Sequence, residues 1–149
     1  MNTATNSSAG SDFGSVRVGD SLPPLESGVI TRHRIALYAH GSGDINPIHV
    51  DSDFARSKAG LPDVIVHGMF SMGYLSRVVT EWAGPNSVRS IENRFQAMLP
   101  VMESLNCTGT VTAVEQAPGG AFVTIQLVAE GSNGATISSA TAVAFVRSR

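Results

Sequence analysis

Cysteine occurs once, at Cys107, so the chain can form no disulfide within itself and no cysteine-based metal site. A single thiol of this kind reads as a small buried side chain. Charge is also scarce: 15% of residues are charged, against 42% hydrophobic. So little charge leans towards an oligomer with part of its surface covered. The formal net charge of −2 gives no basic stripe of the kind a nucleic-acid binder shows. Of the ten basic residues only Lys58 is lysine, and nothing functional follows from that. No run approaches the ~18 apolar residues of a membrane span. The segment Met1 to Ser11 has no apolar centre and does not resemble a secretory signal. Residues 1–12 are therefore expected to be a disordered tail and residues 13–149 a single domain, with the cytoplasm as the default location.

What is present is patterned. Ser15 to Asp20 alternates Val16 and Val18 and predicts a short strand and turn. Pro23-Pro24 sits in a connector. Thr31 can cap a helix through Ile35 and Tyr38 that ends by Gly41–Gly43. The polar stretch from Gly41 to Asp53 predicts an ordered loop, after which Asp53 can cap a short helix over Phe54–Lys58. His67 to Ala83 is the one long helical segment, apolar around most of its circumference, and Gly84-Pro85 ends it. The remainder predicts strands near 87–98, 103–116, 121–130 and 135–147. Ala117-Pro118-Gly119-Gly120 and Ser132-Asn133-Gly134 supply the hairpin turns. One long helix followed by an antiparallel meander is an α+β domain, and a bent sheet wrapped on the helix is the simplest way to bury it.

The candidate chemistry lies in the polar stretch. Asp44 and His49 are five residues apart, which neither a helix nor a strand brings onto one face. A bend at Asn46-Pro47 can. A carboxylate and an imidazole facing one small object can accept and return protons near neutral pH. With no nucleophilic Ser or Cys beside them, that object is a water molecule. An Asp that caps a turn and a satisfied core histidine would leave the same letters. Gly68 opens the long helix, where the first amides lack intrahelical acceptors and the helix dipole adds positive charge. A bare amide there suits a developing oxyanion, while close packing is the alternative reason for the glycine. His67 reads as packing or orienting; His33 and His40 read as surface residues. The four histidines are not spaced as a metal motif.

Tyr38 to His49 (YAHGSGDINPIH) resembles the first motif of the MaoC-like, (R)-specific enoyl-CoA hydratase family, also called hydratase 2. That motif is an aromatic residue, then Gly-Asp-x-Asn-Pro-aliphatic-His, then a small residue, here Ala55. Val66-His67-Gly68-Met69 is similar to the family's second motif. Val16 to Asp20 is similar to its opening, and Arg94-Phe95 with Leu99-Pro100-Val101 to its strand after the long helix. The resemblance runs from Phe13 to Val146 and leans to the catalytic subunits of heterodimeric (3R)-hydroxyacyl-thioester dehydratases. It implies a hot-dog fold, usually dimeric, with sheets joined edge to edge. The dimer would be of like chains, or pair this chain with a second hot-dog subunit. It implies a hydro-lyase acting on acyl-CoA or acyl carrier protein thioesters, with no metal and no cofactor. By position Asp44 and His49 would be the catalytic pair, the Gly68 amide the oxyanion donor, and Asn46 a supporting residue. A thioesterase on the same scaffold is the enzymatic alternative, against which the first motif argues. A non-catalytic partner subunit would be expected to lack Asp44 or His49, and this chain has both.

Overall fold

The computed structural model describes residues 15–148; the expected tail at 1–12 lies outside the described residues. Five strands and four helices follow one another as β1 (Leu25–Glu26), α1 (Arg32–Ser42), α2 (Pro47–Val50), α3 (Ser52–Ser57), α4 (Gly68–Ala83), β2 (Val88–Phe95), β3 (Leu105–Ala117), β4 (Gly120–Gly131) and β5 (Thr136–Arg147). The strands form one antiparallel sheet in the order β1-β3-β4-β5-β2. This is the α+β hot-dog arrangement, a bent sheet packed on one long helix.

Turn chemistry sets the two hairpins. Ala117 pairs with Gly120 across Pro118-Gly119, and Gly119 takes φ 80°. Proline supplies the fixed φ at the first turn position and glycine the positive φ at the second. A Cβ on Gly120 would sit 2.1 Å from the Val146 carbonyl oxygen, so only glycine lets β4 and β5 close here. The second hairpin turns through Ser132-Asn133-Gly134, with Gly134 at φ 81°. Alternation then decides which face is core. Along β4, Ala121, Val123, Ile125, Leu127 and Ala129 are all fully buried, every second residue. Register shifts in β2, β3 and β4 bend the sheet around the helix.

Three expectations are corrected. Residues 15–20 are not a strand: they form a turn at Gly19 (φ 93°), where the Asp20 carboxylate accepts from the Arg17 amide at 2.7 Å. The segment still follows the edge of β3, through Gly19 N–H to Val111 O and Leu22 N–H to Gly109 O. A local bond from the Arg17 amide forward to the Asp20 carboxylate closes the turn there and wins over the short alternation. Secondly, α4 is buried on one face, through Phe70, Ser71, Leu75, Val78 and Val79, while Met69, Gly73 and Arg77 face outwards. A single sheet covers a single side, and the Arg77–Glu81 ion pair at 2.6 Å occupies the other. Thirdly, the 41–53 stretch is not all loop.

That stretch holds two short helices, each started by its own side-chain cap. Gly43 takes φ 77° and returns its N–H to Ala39 O, closing α1 immediately before Asp44. Asn46 Oδ1 accepts from the Ile48 amide at 3.2 Å, and Pro47 occupies the first helical position, where a missing N–H costs nothing. Asp51, not Asp53, caps α3, accepting from the Asp53 and Phe54 amides at 2.9 and 3.0 Å. Asp51 wins because its side chain precedes the turn, whereas Asp53 already lies inside it.

Candidate active site

Asp44 lies in the three-residue gap between α1 and the Asn46 cap. Its backbone N–H donates to Ser42 Oγ, and its Oδ1 accepts from the Asn46 N–H, each at 3.3 Å. This local turn uses one carboxylate oxygen and leaves Oδ2 directed at His49, 4.0 Å from its Nε2. His49 occupies the third position of α2, so the bend and the single helical turn together carry it back to the carboxylate.

The imidazole of His49 is almost fully buried, and its Nδ1 lies 2.8 Å from the Ile65 carbonyl oxygen. A carbonyl only accepts, so Nδ1 carries the proton and Nε2 presents a lone pair to Asp44. Ile65 is itself held twice. Its N–H donates to Ile48 O, and its neighbours Val66 and Val64 bond Leu99 O and Val101 N across the β2–β3 connection. The family-like segments at 66–69 and 99–101 thus meet as adjoining backbone, through Val66 N–H and Leu99 O.

His67, expected as packing or orienting, proves central to the geometry. Its ring stacks on that of His49, 3.8 Å between centroids and 21° between planes. Its Nε2 donates to the Asp44 backbone carbonyl at 3.0 Å. Burial pushes the His67 pKa below the ordinary imidazole value; the Asp44 carbonyl partly offsets this and His49 adds to it. Tyr38 tilts against the His67 ring, 4.9 Å between centroids. Its hydroxyl pKa is raised by burial and then by the Asp44 charge.

Donor atoms of Asp44, His49 and His67 lie within 4.8 Å of one another, a grouping that the sequence spacing did not suggest. The donor directions do not fit one metal ion. A ring nitrogen's lone pair lies in the ring plane, and two stacked planes 21° apart with centroids 3.8 Å apart keep the two nitrogens from aiming at one centre ~2 Å away.

Gly68 opens α4 beside this pair. The N-cap residue His67 makes no side-chain cap bond; its carbonyl accepts from the Phe70 N–H at 3.1 Å, and no cap side chain takes the Gly68 and Met69 amides. Gly68, His49, Ser71, Phe95, Met98 and Leu99 line a cavity of about 340 Å³ between the start of α4 and the end of β2. His49 also walls a second depression of about 300 Å³ with Arg32, His33 and Val50. The imidazole therefore stands between two depressions, each lined mainly by apolar surface. His33 and His40 are exposed, as expected. Cys107 is buried and its thiol pushed up to about 11, chiefly by desolvation, which makes it inert at neutral pH.

A bent antiparallel sheet on one long helix, with an acid–imidazole pair at the helix's open end, defines the class: a hot-dog domain with a site for small-molecule chemistry. The family model described as "MaoC like domain" matches residues 16–133, and the chain belongs to that family. The (R)-specific enoyl-CoA hydratase of Rhodospirillum rubrum is 31% identical over 116 residues, 76% of this chain and 77% of that one. The fatty acid synthase beta subunit hexB of Dothistroma septosporum is 49% identical over 59 residues, but the match spans only 3% of that far longer protein. Among solved structures, the ChsH1-ChsH2 complex from Mycobacterium tuberculosis contains a chain with TM-score 0.78 and 28% identity, covering 89% of this chain and 99% of that one.

Proposed function

We propose that the protein hydrates trans-2-enoyl thioesters of CoA or acyl carrier protein with (R) specificity, or runs the reverse dehydration of (3R)-hydroxyacyl thioesters. One observation carries this reading. Asp44 Oδ2 and His49 Nε2 are 4.0 Å apart, and with the imidazole in its neutral Nδ1–H form both are acceptors. Two acceptors at that distance cannot bond each other. They suit one bridging water that donates a hydrogen to each, since two bonds of about 2.8 Å at a water's angle span roughly 4 to 4.5 Å. The water's lone pairs then face away from both side chains, towards a substrate carbon.

The thioester carbonyl docks on the Gly68 amide at the positive end of α4. Withdrawal of electrons towards that oxygen makes C3 of the conjugated system electrophilic. The held water attacks C3, its proton passes to the pair, and a proton is delivered from the pair to C2. In reverse the pair removes the C2 proton and protonates the departing hydroxyl. The two groups share the proton, and separate acid and base labels are not assigned to them. The cavity beside Gly68 and Phe95 takes the start of the acyl chain.

A second hot-dog domain completes the assembly in this reading. Among the described residues β2 is a sheet edge eight residues long, and Phe95, Met98 and Met69 stand exposed beside the cavity. Edge-to-edge pairing would cover both. The partner is a second copy or a different chain of the same fold.

The test uses the purified chain with a panel of trans-2-enoyl-CoA substrates of rising length. Loss of the conjugated absorbance with a (3R)-hydroxyacyl product is expected. Release of free thiol with no hydration would replace the reading by a thioesterase.

A further inference from the structure

Ser71 stands three residues after Gly68 on α4 and is almost fully buried, at 1% exposure. Its Oγ has no hydrogen-bond partner among the described residues. A serine inside a helix ordinarily returns its proton to a carbonyl one turn back. Ser71 does not, although Ser76 on the same helix does, to Met72 O at 3.1 Å. An unbonded buried hydroxyl costs stability, so a position that retains one calls for a partner that arrives from outside.

The geometry says where that partner sits. Ser71 lines the same cavity as Gly68 and His49. Residues three apart share a helix face, and side chains lean towards the N-terminus, over the preceding turn. The hydroxyl of Ser71 is thus carried back towards the Gly68 amide, on the cavity side. The interior positions on the walls of that cavity nearest β2 and β5 offer it no bond either.

We propose that the Ser71 hydroxyl is a second hydrogen-bond donor to the substrate thioester oxygen, acting with the Gly68 amide as a two-point oxyanion site. The proposal rests on the enoyl-thioester chemistry above. As water adds to C3, negative charge builds on the thioester oxygen and leaves again when C2 is protonated. Two fixed donors hold that charge better than one, because neither must reorganise during the step. The assignment makes Ser71 a catalytic residue rather than a packing residue, and it explains why a buried serine is left unbonded in the free protein.

The variants are Ser71→Ala, Ser71→Thr and Ser71→Cys in the full chain. Ser71→Ala should lower kcat for crotonyl-CoA hydration on the order of 100-fold with little change in KM. Its Tm should stay level or rise, since the unbonded hydroxyl is gone. Ser71→Thr, which keeps the donor, should recover most of the loss. Ser71→Cys, close in volume but a weak donor, should stay near the alanine value. The carbonyl stretch of bound, carbonyl-labelled crotonyl-CoA is read in an Asp44→Asn background, where turnover is slow. Adding Ser71→Ala should move that stretch part of the way back to its value in water.

Unchanged kcat and an unchanged stretch in active protein overturn the Ser71 assignment and leave the hydratase reading intact. A lowered Tm in Ser71→Ala with wild-type kcat per folded molecule marks a structural serine and also overturns it. Absence of hydration by the unmutated chain overturns the hydratase reading itself.

Discussion

The imidazoles of His49 and His67 lie face to face at 3.8 Å, and each spends one nitrogen on a backbone carbonyl: His49 on Ile65, His67 on Asp44. One ring turns its other nitrogen to the Asp44 carboxylate while the other ring holds the backbone that carries that carboxylate. Burial disfavours a second proton on His67, and the stacked His49 ring adds to that effect.

That pairing predicts a pH response. His67 has its pKa lowered by burial, with His49 adding to the shift. The folded protein keeps His67 neutral, while the unfolded chain takes a proton near the ordinary value of 6.5. Below that pH the unfolded state binds more protons, so stability is full above about 6.5 and falls as the pH drops towards the folded value. Thermal unfolding between pH 7.5 and 5.5 should show a Tm decline that is shallower in His67→Gln than in the unmutated protein. Equal slopes would mean that His67 does not contribute to it.

Asp44→Asn and His49→Ala should each reduce enoyl-CoA hydration by about 10²- to 10⁴-fold. Asp44 is about half exposed, so its replacement should leave Tm nearly unchanged. His49→Ala strands the buried Ile65 carbonyl and should cost about 1–3 kcal/mol of stability. Near-normal hydration by both variants would remove the pair from the mechanism.

Asn46→Ala removes the cap that starts α2 and should cost about 1 kcal/mol. Because α2 sets the position of His49, kcat should fall several-fold as well. Asn46→Ser, which keeps an acceptor for the Ile48 amide, should recover both quantities. A kcat loss that persists in Asn46→Ser while Tm recovers would give Asn46 a direct part in the chemistry.

A Cβ on Gly68 would meet the Phe95 ring at 3.0 and 3.1 Å. The ring is half exposed and can give way, so Gly68→Ala should fold. The methyl group would still crowd the amide proposed to receive the thioester oxygen, and kcat/KM should fall about tenfold or more. Adding Phe95→Leu separates the causes. Recovery of activity would place the loss in ring displacement, and no recovery would place it at the amide.

Much of the fold was legible in the chain because local chemistry dictates it. Thr31 and Gly43 bound α1, Pro118-Gly119 and Asn133-Gly134 make the hairpins, and period-two alternation names the core face of β4. The errors arose where two local signals competed. The Arg17–Asp20 turn bond outweighed a short alternation, and Asn46-Pro47 began a helix inside what reads as a polar loop. The extent to which α4 is covered was misjudged because its composition shows what can be buried and the sheet decides which side is.

The closeness of Asp44 and His49 belongs to the sequence by itself. Five residues, with Gly43 ending one helix and Asn46-Pro47 starting the next, bring the carboxylate and the imidazole together using bonds no longer than a turn. The tautomer of His49, the stack with His67 and the unbonded hydroxyl of Ser71 were decided only by tertiary structure. Each depends on residues 16 or more positions away, such as Ile65 for His49 and Asp44 for His67, and no local preference encodes a contact across that distance. The sheet and the long helix had to pack before those groups could face one cavity.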